Sequence, residues 1–301
     1  MLSYTSGQTL FQTLTNNTSI ANQTFGATMM NEGIRLMLGD LPWPFLETST
    51  TELTVAGTQS YTLPGDLDQL INVYILVGTY KYSPDPVTSA NDWAMLNNPT
   101  GTQSDVVSKY FIAGNTIQFW PTPAASGNTI TYDYVQATKD ISVADHTSGT
   151  ITTATNGSTA IVGSGTSWNA GMIGKWLRIA SSNVANVGDG LWYKIGTVPT
   201  ATTLTLNAAY KGVSIVGGTA SHIISDCSLI PESYQLGPVY YAAAEYWRKT
   251  GQESKADRFE EKFNELSTRL KRAKGTKTSS VVVDDNTDNI TVNPNLTKSA
   301  T

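Results

Sequence analysis

The sequence has one cysteine, few charged side chains and no long apolar run. A lone Cys227 excludes an internal disulfide framework, so stability has to come from packing or from association with further copies. Charged residues make up 14% of the 301, and the formal net charge is −5. That leaves no global basic field to attract nucleic acid and disfavours a protein that grips DNA. A protein past which DNA slides needs no such field. No run of about 18 apolar residues occurs, and the start, MLSYTSGQTLF, has no basic segment followed by an apolar one. The expectation is a soluble, unprocessed chain with no membrane contact.

Motifs that carry chemistry are equally scarce. There is no metal-ligand pair of the CxxC or HxxxH kind. His146, His222 and Cys227 converge on a zinc ion only if the two necks of an inserted domain bring them together. Cys227 has only His222 and Asp226 nearby in sequence as partners for a nucleophile, and a small semi-buried side chain is the plainer reading. VGSGTSW lacks the lysine of a phosphate-binding loop and reads as a tight turn. The carboxylates between 40 and 140, among them Asp40, Glu52, Asp66 and Asp85, fall mostly in turns, where Asp beside Gly or Pro favours the turn itself. Six positions fit N-x-S/T: Asn16, Asn17, Asn22, Asn156, Asn289 and Asn295. A threonine-rich chain produces such matches freely. No catalytic residue, cofactor or metal is assigned, and the chain is not expected to be an enzyme.

What is present is a change of pattern along the chain. Residues 18 to 40 are expected to form a helix, with Ala27, Met30, Ile34, Met37 and Leu41 at helical spacing, stopped by Gly39 and Pro42. The segment LPWPFLE cannot continue a helix and is expected to hold Trp43 and Phe45 in the core from an extended elbow. From about 50 to 141 the sequence reads as short strands. TELTVAGTQSYTLP forms two around a glycine turn, LINVYILVG is buried, and NTIQFWPTP with TITYDYVQA forms a hairpin. Residues 146 to 224 are an island of Thr, Gly, Ser and Ala, expected to be an inserted all-β module, sandwich or barrel. Its Trp168, Trp176 and Trp192 suit a small core better than a sugar-stacking face.

Two helical stripes follow. One carries Leu236, Val239, Tyr240, Ala243 and Trp247; the other carries Ala256, Phe259, Phe263, Leu266 and Leu270, after a break at Thr250 and Gly251. They predict a helical hairpin whose charged face, 253 to 272, is dense for this chain. Acids lie early and bases late in the second helix, which complements its dipole. Residues 275 to 301 have no helical period, and their one apolar run, Val281 to Val283, suits strand addition to a partner.

The order RLMLGDLPWPFLETSTTELTVAGTQSYTLPGDLDQLINVYI, then IQFWPTPAASGNTITYDYVQATKDIS, then LIPESYQLGPVYYAAAEYWRKTGQESKADRFEEKFNELSTRL resembles the head-to-tail adaptor (connector) proteins of tailed bacteriophages. The resemblance covers roughly residues 35 to 141 and 226 to 272. It implies an α+β chain with a helical-bundle core, short β-hairpins, an inserted β domain and an extended C-terminal arm. The expected division is an adaptor core at 1–145 and 226–274, the insertion at 146–225 and a docking arm at 275–301. It further implies a virion protein at the head-tail interface, assembled in the host cytoplasm. There it forms a homo-oligomer, a twelve-fold ring, that binds the portal protein above and a downstream tail or nozzle protein below. DNA passes through the channel without sequence-specific binding. On this reading the oligomer and portal interface comprises Tyr241, Arg248, Lys249, Arg258, Glu261, Arg269, Val281, Val282 and Val283. The alternative is a glycan- or receptor-binding virion protein acting through the inserted β domain.

Overall fold

The computed structural model describes residues 1–39, 41–96, 102–180 and 188–274. Asp40, Val281, Val282, Val283, Asn289 and Asn295 lie outside the described residues. The chain is mixed α/β, with five α-helices and three sheets among the described residues.

Four helices pack together: α1 (Tyr4–Thr15), α2 (Ile20–Leu38), α4 (Gly237–Lys249) and α5 (Glu253–Lys274). The helix α1 was not expected, because YTSGQTLFQTLT has few apolar residues and no charge to mark a face. Tertiary contacts make it. Phe11 is fully buried and lies on α2 at Gly26, where a Cβ would come within 2.4 Å of the ring. Ser3 caps the helix by accepting from Ser6 N at 3.1 Å, which satisfies one free N–H of the first turn. The α2 and α4 backbones approach closely at Gly33, where a Cβ would stand 3.0 Å from Pro238 Cα. The small, buried Ala242, Ala243 and Ala244 of α4 continue its packed surface. At the break after α4, Gly251 takes φ 72°, a left-handed value glycine adopts without steric cost.

The elbow after α2 behaves partly as expected. Trp43 is fully buried, and its indole N–H donates to Leu38 O at 2.9 Å, so it also closes a free carbonyl at the end of α2. Pro44–Leu46 form a short 3-10 turn, and Phe45 is only partly buried. Trp43 and Leu46 share one cluster with Met37, Val135, Ile141, Ile230, Phe263 and Leu270. The core beside the helices is therefore built jointly by helices, elbow and strand, and the expected helical-bundle core is too simple.

Two four-stranded sheets enclose a cluster drawn mainly from their strands, including Val73, Ile75, Ile117, Phe119, Ile130 and Tyr132. The first sheet has the order β1 (Glu47–Leu53), β8 (Thr129–Gln136), β3 (Leu67–Val77), β4 (Tyr80–Tyr82). The second has β2 (Ser60–Thr62), β7 (Thr116–Trp120), β6 (Lys109–Ala113), β5 (Asp85–Pro86). The expected hairpin of NTIQFWPTP with TITYDYVQA does not form. β7 pairs with β6 and β2, while β8 pairs with β1 and β3. Alternation gives each strand a buried face, and two such strands satisfy it equally by facing one another across a core. The two strands of TELTVAGTQSYTLP likewise enter different sheets. The short α3 (Ala90–Leu96) holds Trp93 stacked on Phe111.

The third sheet has seven strands: β9 (Thr150–Ala154), β10 (Ala160–Ser164), β11 (Trp176–Ile179), β12 (Trp192–Thr200), β13 (Thr203–Leu206), β14 (Ile215–Ala220) and β15 (His222–Ser225). Their order is β14-β9-β10-β13-β12-β11-β15. The edge strands β14 and β15 are separated by Ser221 alone. One bent run of chain therefore joins both edges, and the sheet curls on itself around Trp168, Leu177, Tyr193, Ile195 and Leu204. The outer edge of β15 is partly covered by the bridge of Ile224 to His146, which limits the open backbone an edge strand presents.

Candidate functional site

At the base of this curled sheet the chain enters and leaves side by side. His146 N donates to Ile224 O at 2.8 Å, and Ile224 N donates to His146 O at 2.9 Å. The Asp145 carboxylate gathers the neighbourhood: it accepts from Ser3 Oγ and Ser225 Oγ, both at 2.7 Å, and from Thr5 N at 3.3 Å. Helix α1 is thereby tied to the neck.

The two histidines do come together, with ring centroids 6.1 Å apart. His146 Nε2 faces Thr166 O at 2.5 Å, and His222 Nε2 accepts from the Trp168 indole N–H at 3.3 Å. Because an indole nitrogen only donates, His222 carries its proton on Nδ1, which is buried with no hydrogen-bond partner. Burial, with His146 as a smaller contribution, lowers the His222 pKa to about 4. Cys227 is buried and unbridged, and burial pushes its thiol up to about 12, far from the thiolate a nucleophile or metal ligand needs. Among the described residues no group of three or more His, Cys, Asp or Glu is arranged to hold a metal ion. The carboxylates are tied elsewhere: Asp66 accepts from Tyr134 OH and Gln136 Nε2, Glu52 accepts from Tyr132 OH, and Asp85 pairs with Lys109.

The three tryptophans of the curled sheet separate. Trp168 is in its core. Trp176 and Trp192 are half-buried on the other side of β11 and β12, where Trp192 donates to Met1 O at 3.1 Å and lies against Arg178. Trp176 lines a cleft of about 220 Å³ with Asp66, Gln136, Lys139, Lys194 and Asp226. Asp226, itself buried, meets Lys139 at 3.3 Å and Lys175 at 3.9 Å.

The α4–α5 surface is the other candidate. Tyr241 faces inward onto Phe263, at 5.2 Å between ring centroids, and against Gly33. Arg248 bridges the two helices by pairing with Glu245 and with Glu260 at 2.5 Å. Lys249 lies over the Phe25 ring at 4.7 Å. Arg258 and Glu261 are exposed, and Arg269 pairs loosely with Glu265 at 3.6 Å on an exposed turn. The two sequence stripes include Tyr240, Trp247 and Phe259 but not the lysines that lie over them. Tyr240 and Phe259 stack across the helix pair at 6.1 Å and 27°. Lys262 lies over both rings at 5.2 and 5.4 Å, and Lys255 lies over Trp247 at 4.1 Å. The spacing of Lys255, Phe259 and Lys262 on one helical face was the signal for this lysine cover.

A family model described as SU10 adaptor protein matches residues 4–156, just over half of the chain. The chain belongs to the SU10 adaptor protein family. The match agrees with the resemblance to phage head-to-tail adaptors and extends it to α1, which pattern reading had passed over. Its range stops in the turn after β9, so the helix pair and most of the curled sheet lie beyond it. Adaptor proteins of phages are structural, and membership implies a virion component at the head-tail junction that associates with other phage proteins. A comparison with curated proteins finds no match. No described helix is long and apolar enough to cross a membrane.

Proposed function

We propose that this SU10-family chain is the structural adaptor that closes into a twelve-fold ring, joins the portal to the tail and surrounds the DNA channel. The observation that carries the reading is the family match over residues 4–156. In this account the units are the adaptor core (1–145 and 226–274), an inserted curled sheet (146–225) and a docking arm (275–301). The neck hydrogen bonds between His146 and Ile224 support treating the curled sheet as an insertion, because they let the core chain continue across it. Lys249, Arg258, Glu261 and Arg269 then supply the outward charges that meet a neighbouring copy or the portal, in a head-to-tail contact that closes with rotation. Host-cytoplasm assembly belongs to the same proposal.

Phe263, buried against Tyr241, gives the test. A buried aspartate there has no partner, so phage carrying Phe263→Asp are expected to accumulate DNA-filled heads without tails. Tailed, infectious particles at normal yield would overturn the reading.

A second reading, glycan binding by the inserted sheet, is favoured by Trp176 alone, which faces a polar cleft. Specific glycan binding by the intact chain that is lost in Trp176→Ala would support it, and no binding on a glycan array would remove it.

A further inference from the structure

The aromatic row on the helix pair is covered by lysines rather than by apolar groups. Tyr240, Trp247 and Phe259 are each only half-buried, and the two ammonium groups above them, Lys255 and Lys262, form no ion pair among the described residues. The Trp247 indole N–H is buried and has no acceptor. A surface of this kind accepts an extended segment with apolar side chains for the rings and carboxylates for the lysines.

This chain carries such a segment. Residues 281 to 288 read Val-Val-Val-Asp-Asp-Asn-Thr-Asp, three β-branched apolar residues followed by three carboxylates. The tether is long enough to bring it back. The described part of helix α5 reaches Lys274, from which Lys262 lies about 18 Å back along the helix at about 1.5 Å per residue. The seven residues 275 to 281 span up to about 23 Å when extended. Gly275, next in the sequence, is the residue type that most readily reverses a chain at a helix end. Asp288 has reach in excess of the roughly 28 Å to Lys255.

We infer that residues 281–288 fold back along α5 of their own chain, with Val281 to Val283 against Tyr240 and Phe259 and with Asp284, Asp285 and Asp288 paired to Lys262 and Lys255. The inference does not depend on the ring or on the portal. If the chain is the adaptor proposed above, the arm and the aromatic row cover one another until a partner competes for either.

Zero-length carbodiimide coupling of the full chain, read by mass spectrometry of its peptides, tests this directly. The expected result is amide links from Lys255 or Lys262 to Asp284, Asp285 or Asp288 within one chain. Mixing heavy-isotope and light chains identifies their origin. The links are expected to fall by about five-fold or more on going from about 0.1 M to about 1 M salt, where screening shortens to a few ångströms. Lys255→Gln/Lys262→Gln is expected to abolish them. In the Asp284→Asn/Asp285→Asn/Asp288→Asn variant, amide hydrogen exchange over 240–262 is expected to speed up several-fold while that of the curled sheet is unchanged. Links only between heavy and light chains, or no links and unchanged exchange, would overturn the inference.

Discussion

His222 sets the acid sensitivity of the neck. Its ring is 2% exposed, its Nε2 is committed to accepting from Trp168, and its Nδ1–H has no partner. Protonating Nε2 would set two donors against each other. With a folded-state pKa of about 4 against about 6.5 unfolded, the unfolded chain binds more protons between these values. The stabilising contribution of the neutral ring is therefore complete above about pH 6.5 and is lost as the pH falls toward 4. Across that window the loss is roughly 2 to 3 kcal/mol, at about 1.4 kcal/mol per pKa unit. Urea unfolding of the wild type and His222→Gln at neutral pH and near pH 4.5 measures it. Gln keeps an acceptor for Trp168 but does not titrate, so the wild type is expected to lose about 2 kcal/mol more than the variant on acidification. Equal losses would show that this ring is not the group responsible.

Helix α1 exists because α2 has a glycine under Phe11. A Cβ at Gly26 would lie 2.4 Å from two ring atoms, and Phe11 has no free volume to yield into, being fully buried with Met30, Val239 and Ala242. Gly26→Val is expected to destabilise the helical part by about 1 to 3 kcal/mol through overpacking, read as a lower thermal midpoint. A variant as stable as wild type would mean that α1 is not held by this contact. The same contact explains why α1 was not legible in the sequence: Gly26 and Phe11 are fifteen residues apart, and neither marks a face by itself. The stripe of α5 was legible, since Ala256, Phe263 and Leu270 are all buried and their spacing is local. Strand existence could be read in NTIQFWPTP and TITYDYVQA, but partner choice could not, because pairing is decided by the chain crossing from one sheet to the other. β14 and β15 were hidden in VSIVGGTASHIIS by glycines and a bend. Of the candidate interface, the charged face was visible, yet the inward turn of Tyr241 and the Arg248–Glu260 bridge depend on α4 packing against both α2 and α5. The lysine-covered row beside it follows from which aromatics that packing leaves half-exposed.

For the whole molecule, three bodies of apolar contact stand side by side: the sandwich of two small sheets, the helices with the Trp43 elbow, and the curled sheet joined at its neck. The second meets the surroundings with exposed charge on α5 and with half-buried rings on α4 and α5. The central claim is that this exposed helical surface is completed by further copies of the chain and by phage partners. Electron micrographs of the purified full chain, alone and mixed with portal protein, measure it most directly. The account predicts closed rings of a single size, formed alone or on the portal, with twelve subunits in class averages. Isolated single-chain particles under both conditions would contradict it.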